Sequence, residues 1–180
     1  MLGRMYESQN CSAARALELV GERWSLLILR NAAFAGQTRF SEFERGLGIA
    51  PNILGARLES FVAAGLMEMV PAADHKGQHN YVLTDKGRDF VPALIALTNW
   101  GDRWAAPDGP PIQYKHTDCD GDIEIQLHCT KCSDSVEPAT VVVEPGPGFR
   151  ADFPRTRNTN TTISAPARTS RSRSANRITQ

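Results

Sequence analysis

The stretch GIAPNILGARLESFVAAGLMEMV, residues 48–70, decides how the rest of the chain is read. Ile53, Leu54, Leu58, Phe61 and Val62 recur at helical spacing, so one face is expected to pack against a body. The other side of the first turns carries Ala50, Gly55 and Ala56, with Asn52 near the start and Arg57 midway. Gly65 is expected to stop the helix before a short apolar run. A helix with one apolar face and a nearly bare beginning suits the close approach of something large to that beginning.

Working outward, NCSAARALELV (10–20) places Ala14, Leu17 and Val20 at three-residue steps, with Asn10 as a candidate cap and Gly21 as the break. RWSLLILRNAAFAG (23–36) is apolar nearly all round and is expected to be the central core helix, ended by Gly36. SEFERGLG reads as a short third helix from Ser41, with Glu44 three residues on as the partner of a capping box. After the opening stretch, the turn-rich PAADHKGQHN (71–80) separates Leu66–Val70 from YVLT (81–84), which predicts a hairpin. TDKGRDFVPALIALTNWGDRWAAP follows as a long amphipathic helix capped by Thr84 or Asp85. Pro92 either kinks it or sits in its first turn. Phe90, Leu94, Leu97, Gly101 and Trp104 trace a stripe that Val91, Ile95 and Trp100 widen. The stripe is wider than a small domain needs and points to a dimer contact, with plain core packing as the alternative.

Helix, helix, short helix, helix, hairpin, long helix is the order of a winged helix-turn-helix, an α+β fold. In such folds the second helix of the motif enters the major groove of DNA with its N-terminal residues at base edges. Ala50, Pro51, Gly55 and Ala56 then allow close approach, while Ile53, Leu54, Leu58 and Phe61 hold the helix to the body. Asn52 suits an adenine edge, and Arg57 suits guanine or phosphate. Thr38 and Arg39 precede the third helix, where phosphate contact is expected. His75, Lys76 and His79 would form the wing, at backbone or minor groove. Each residue alone reads equally well as solvated surface; the arrangement carries the argument.

The motifs CSAARALELVGERWSLLILRNAAF, TRFSEFERGLGIAPNILGARLESFVAAGLM, YVLTDKGRD and WGDRW occur in order over roughly residues 10–105, and this stretch closely resembles HxlR-type transcriptional regulators of the MarR-like superfamily. The resemblance implies a homodimer joined through its first and last helices and bound to a palindromic or direct-repeat operator. It puts Asn52, Gly55, Ala56 and Arg57 at the DNA. The wing departs from the pattern: many relatives carry an aromatic or proline-rich arginine wing, whereas DHKGQHN has one lysine and two histidines. Cys11 opens the first helix, where the dipole favours a thiolate. The resemblance adds that some members sense oxidants or electrophiles at this position, through an intersubunit disulfide. A buried, inert thiol and a small-molecule effector near the dimer interface are the rival readings.

DGPP at 108–111 marks a boundary, giving a DNA-binding and dimerisation domain over 1–108, a small β-rich appendage over 109–153 and an Arg/Ser/Thr-rich tail over 154–180. In the appendage IEIQLHC and TVVVEP read as strands. The tail holds too little apolar surface to offset ordering entropy and is expected to be disordered. No internal repeat is evident. His116, Cys119, Cys129 and Cys132 form H-x2-C-x9-C-x2-C, a candidate closed structural zinc site, with His128 able to replace His116. Two features count against it. Ser133 stands where a zinc knuckle usually has glycine, and a plain β appendage with reduced thiols explains the same residues.

The formal net charge is zero, yet residues 154–180 hold six arginines and no acid, while residues 1–153 hold 14 basic and 20 acidic residues. A basic tail behind an acidic body points weakly to a polyanion, or simply to a solvated tail. The N-terminus lacks the charged start and apolar segment of a signal peptide, and no apolar run approaches the ~20 residues of a membrane span, so a cytoplasmic chain with no membrane partner is expected. Phosphate-binding glycine loops, nucleophile elbows and paired carboxylates with a positioned histidine are missing, which argues against an enzyme. The reading is therefore a sequence-specific regulator, acting as repressor or autoregulator on double-stranded operator DNA. A winged-helix protein-interaction module without specific DNA binding is the alternative.

Overall fold

Apolar spacing sets four helices in the first half: α1 (Ser12–Val20), α2 (Arg23–Phe34), α3 (Phe40–Leu47) and α4 (Pro51–Ala63). They are described here from a computed structural model that covers residues 10–73 and 77–150. Two strands follow, β1 (Met67–Pro71) and β2 (His79–Leu83), then α5 (Asp85–Arg88) and α6 (Val91–Trp104). The strands pair antiparallel with Met67 opposite Leu83 and Pro71 opposite His79, which is the expected hairpin. No described helix is long and apolar enough to cross a membrane.

The core lies where α2, α3, α4 and β1 meet. Ile28, Leu29, Phe43, Leu54, Leu58 and Phe61 are at most 1% exposed there, and Leu94 of α6 and Met67 of β1 close the cluster. Ala14 and Val20 are the buried residues of α1, whereas Leu17 and Leu19 face outward.

Local chemistry shifts several expected boundaries. Cys11, not Asn10, occupies the N-cap of α1. The third helix begins at Phe40 rather than Ser41, and its capping carboxylate is Glu42 rather than Glu44. Gly48 closes α3 in a left-handed conformation (φ 61°), donating its N–H to the Glu44 carbonyl at 2.9 Å. That conformation strongly favours glycine, and it makes the tight turn into α4. Pro51 then sits in the first turn of α4, where its missing N–H is harmless. The long last helix is interrupted: Asp85–Arg88 forms one short turn, and α6 starts afresh at Val91 with Pro92 in its first turn.

The L-T-D-K-G segment locks this restart onto the end of α4. The Thr84 hydroxyl donates to the Gly65 carbonyl at 2.7 Å and accepts the Gly87 N–H at 3.2 Å. Lys86 Nζ donates to the Ala64 carbonyl at 2.7 Å. A side chain at Gly87 would collide with the Leu66 carbonyl, so the backbones can approach only because no Cβ is present.

Beyond α6, the expected strands do not form as ladders among the described residues. Residues 123–127 and 141–145 form no strand; the single bridges in this region are Lys115–Asp122 and His128–Ser135, with a 3-10 turn at Pro138–Thr140. Val142 and Val143 are 78% and 80% exposed, so the β-branched run lacks the packed face that a strand needs. The described residues divide into two compact units that meet at Ile125 and Gln126. The first unit extends past the DGPP boundary because Tyr114 stacks on Phe34 of α2 (ring centroids 4.7 Å) and its hydroxyl lies 3.1 Å from Thr98 Oγ1 of α6.

The Gly87 contact gives a first expected outcome. Gly87→Ala forces backbone movement between α5 and β1 and should lower stability by about 1–3 kcal/mol in urea unfolding. Unchanged stability would mean that the two backbones do not approach this closely.

Candidate nucleic-acid interface

α3, the Gly48 turn and α4 form the helix-turn-helix. The buried stripe Leu54, Leu58, Phe61 turns the opposite side of α4 outward. Asn52 and Ala56 are exposed there, and Gly55 and Arg57 are half-buried. Ile53 departs from expectation: at 39% exposure it lies on the outer side and does not hold the helix to the body. Its position one residue before Leu54 rotates it about 100° away from the buried stripe.

Three properties of this face bear on function. Ala50, the N-cap of α4, offers no side-chain cap to the positive end of the helix dipole. Such an end favours an anion. Next, a Cβ built at Gly55 would touch only the Phe40 ring, at an ordinary 3.9 Å. Glycine inside a helix costs roughly 1 kcal/mol against alanine, and nothing among the described residues requires that cost. Third, Arg57 Nε is shielded from solvent and makes no hydrogen bond.

Thr38 and Arg39 lie at the mouth of α3. Glu42 Oε2 accepts both of their N–H groups, at 2.9 and 3.0 Å. The Thr38 carbonyl in turn accepts the Tyr81 N–H at 2.7 Å, tying the loop to β2. The backbone amides of the loop are thus engaged. Glu42 was not evident as a site residue in the sequence. The signal that could have found it is its place three residues after a non-helical Arg39. His79 opens β2 and is exposed. His75 and Lys76 lie outside the described residues.

Cys11 is exposed, so it is not the buried hydrophobe of the rival reading. Cys119 and Cys132 are exposed and Cys129 is half-buried. His116 Nδ1 lies 3.3 Å from Cys119 Sγ. The Cys129 thiol is held below its ordinary value by the N–H groups of Cys132 and Lys131 and by the Cys132 side chain. No group of three or more His, Cys, Asp or Glu side chains stands at metal-binding spacing among the described residues.

Comparison with known proteins bears on this geometry. The HxlR-like helix-turn-helix family matches residues 19–109. An uncharacterized HTH-type transcriptional regulator of Mycobacterium tuberculosis is 45% identical over 141 residues, covering 78% of this chain and 89% of the relative. Among solved structures, PA1607, described as a candidate transcription factor, superposes with a TM-score of 0.70 at 36% identity, covering 78% of this chain and 99% of that one. PA1374 of Pseudomonas aeruginosa, described in the same terms, gives 0.56 at 37% identity, covering 79% and 97%.

The loop anchor makes a pH prediction. The N–H groups of Arg39 and Thr38 hold the Glu42 carboxyl below the ordinary glutamate range. Its contribution to stability is therefore full above the unfolded-state pKa and is lost as pH falls through the lowered folded-state value. Glu42→Gln should flatten the fall of stability in the acid range, as measured by urea unfolding at a series of pH values. Parallel pH profiles for the two proteins would exclude Glu42 as the anchor.

Proposed function

Because the chain belongs to the HxlR-like helix-turn-helix family of transcriptional regulators, we propose that it binds a specific double-stranded operator as a homodimer and represses transcription there, its own included. The observation that carries this reading is Gly55. The residue weakens the helix and relieves no close contact among the described residues. The missing side chain serves a surface that comes from outside, and the major-groove edge of DNA is such a surface. Asn52 and Arg57 flank the gap with the amide and guanidinium that suit adenine and guanine edges. The uncapped α4 N-terminus supplies a place for a phosphate.

The dimer reading rests on α6. Leu97, Trp100 and Trp104 are 49%, 62% and 67% exposed, and Leu17 of α1 is 51% exposed. Exposed tryptophans at helical spacing on the last helix suit a self-complementary interface, which the two-fold symmetry of many operators matches. A response to oxidants at Cys11, the N-cap of α1, is supported by its exposure, since an exposed thiol is accessible to them.

Two outcomes test this function. Fluorescence anisotropy with DNA from upstream of the protein's own gene should show specific binding that weakens steeply with salt as counterions are released. Arg57→Ala should weaken it by about 1–3 kcal/mol, and Gly55→Glu should abolish it while leaving the fold intact. A folded Gly55→Glu protein that still binds would refute this docking face. Binding to no genomic sequence in a selection would favour the protein-interaction module. In the same assay, mild oxidation should change operator affinity in the wild type and leave Cys11→Ser unaffected; identical responses would move the trigger to a small molecule.

A further inference from the structure

Beyond α6 the chain makes the same turn twice, once in each compact unit, a repeat that the letters of the sequence conceal. In the first hairpin the His116 N–H donates to the Gly121 carbonyl at 2.8 Å, the Asp120 N–H to the His116 carbonyl at 2.8 Å, and the Ile123 N–H to the Tyr114 carbonyl at 3.0 Å. In the second, the Cys129 N–H donates to the Asp134 carbonyl at 3.0 Å, the Ser133 N–H to the Cys129 carbonyl at 2.8 Å, and the Val136 N–H to the Leu127 carbonyl at 2.8 Å. Every donor and acceptor in the second set lies 13 residues after its counterpart in the first. Asp120 (φ 56°) and Ser133 (φ 62°), the only non-glycine residues with positive φ among those described, hold equivalent positions. This conformation costs a non-glycine residue roughly 1–2 kcal/mol, and such strain gathers at functional sites.

The turn brings its first and fourth side chains together. In the first hairpin these belong to His116 and Cys119, with Nδ1 3.3 Å from Sγ. In the second the same two positions hold Cys129 and Cys132. The Cys132 side chain hydrogen-bonds to Cys129 Sγ, and the Lys131 and Cys132 N–H groups donate to the same sulfur. Backbone repeat and side-chain contact therefore agree that the second turn sets two sulfurs side by side. Cys132 is exposed and Cys129 half-buried, so small reagents can reach the pair.

The geometry is close to that of a disulfide. Side chains three residues apart on one turn start with Cβ atoms about 5–6 Å apart, and a disulfide holds them at about 3.5–4.5 Å. No described residue from 126 to 150 is buried, so no packed core opposes that small movement. A segment without a core also gains most from a covalent closure. Exposed disulfides are the readily reduced ones, which makes such a closure reversible.

We propose that Cys129 and Cys132 form a redox-active dithiol, which closes to a disulfide by exchange with a small organic disulfide of the glutathione type. The Cys129 thiolate attacks one sulfur of the small disulfide, breaks its S–S bond and releases one small thiolate. Cys132 loses its proton to solvent and attacks the Cys129 sulfur of the mixed disulfide, releasing the second small thiolate. The dithiol gives up two electrons and two protons, and the small disulfide becomes two thiols. The N–H groups aimed at Cys129 Sγ orient it as the attacking sulfur. The inference uses the second hairpin alone, and it is independent of the DNA-binding reading and of any response at Cys11.

The test exposes the reduced full chain to glutathione disulfide, blocks remaining thiols with iodoacetamide and maps tryptic peptides by mass spectrometry. Cleavage after Lys115, Lys131 and Arg150 puts Cys129 in peptide 116–131 and Cys132 in peptide 132–150. The two peptides should be joined by a disulfide within the monomeric chain and separate again in dithiothreitol. Cys119 shares the first peptide, so the linkage should persist in Cys119→Ser; it should persist in Cys11→Ser as well. In Cys132→Ser the exchange stops halfway, and the glutathione adduct on Cys129 should exceed the wild-type level by roughly tenfold or more. Unlinked peptides in the wild type would overturn the proposal. So would a linkage lost in Cys119→Ser, one found only in covalent dimers, or equal adduct levels in Cys132→Ser and the wild type.

Discussion

The burial of Leu54, Leu58 and Phe61 against Ile28, Leu29 and Phe43 is the contact on which the rest of the molecule depends. Those three residues set the rotation of α4, and its rotation decides which side chains face outward. Because Leu54 and Leu58 are fully buried, Asn52 and Ala56 have nowhere to go but solvent. Each buried leucine contributes on the order of 1.5–3 kcal/mol by removing apolar area from water. The same packing therefore supplies stability and aims the candidate recognition face. The two hairpin strands and the Thr84 clamp then fasten the far end of α4, through Gly65, Ala64 and Leu66. α4 is held at its C-terminal end by hydrogen bonds and along its middle by packing.

Charge is arranged differently from what an average over the chain suggests. The residues before the tail carry an acidic excess, and within α4 Arg57 is the sole cation, set against Glu59. Recognition by this helix would rest on shape, the helix N-terminus and a few directed donors more than on a broad positive field. Phosphate contacts from elsewhere would have to supply most of the salt-dependent affinity. The Glu42 carboxylate near Thr38 and Arg39 sharpens this point. It orders the loop by accepting its amides, and in doing so places a negative charge beside the expected path of the phosphates. Loop order and electrostatic attraction pull in opposite directions there.

The winged-helix order was legible because periodicity and glycine punctuation reported it directly: Gly48, Gly65 and the turn-rich segment after β1 all ended elements where expected. The caps were less legible. Ser41 and Glu44 matched a capping box in letters, but Phe40 had to enter the helix for Phe43 to reach the core, which moved the cap to Glu42. Ile53 misled because five apolar residues on a helix cover more than one face, and only packing selects the buried three. The twin hairpins were hidden for another reason. Between YKHTDCDGDI and LHCTKCSDSV the shared letters are few, and the repeat lives in backbone hydrogen bonds and in two left-handed residues that are not glycine. The expected strands failed in the same region because a β-branched run without a partner face has nothing to pack on.

The four glycines inside described helices separate what the fold needs from what it does not. Gly87 is required from within, since any side chain there meets the Leu66 carbonyl, and Gly46 lies against the Gln37 side chain. Gly55 has only a distant ring edge near it, and Gly101 has nothing within 4 Å. Both weaken their helices by roughly 1 kcal/mol relative to alanine without relieving any close contact among the described residues. The proposed DNA and dimer contacts would account for each by a close approach from outside. The two positions coincide with the two faces argued on other grounds to meet partners: Gly55 beside Asn52 and Arg57, and Gly101 between Leu97 and Trp104. Glycine in the middle of a helix is thus informative here only when the interior is known, because the same letter marks internal crowding at α5 and open space, among the described residues, at α4 and α6.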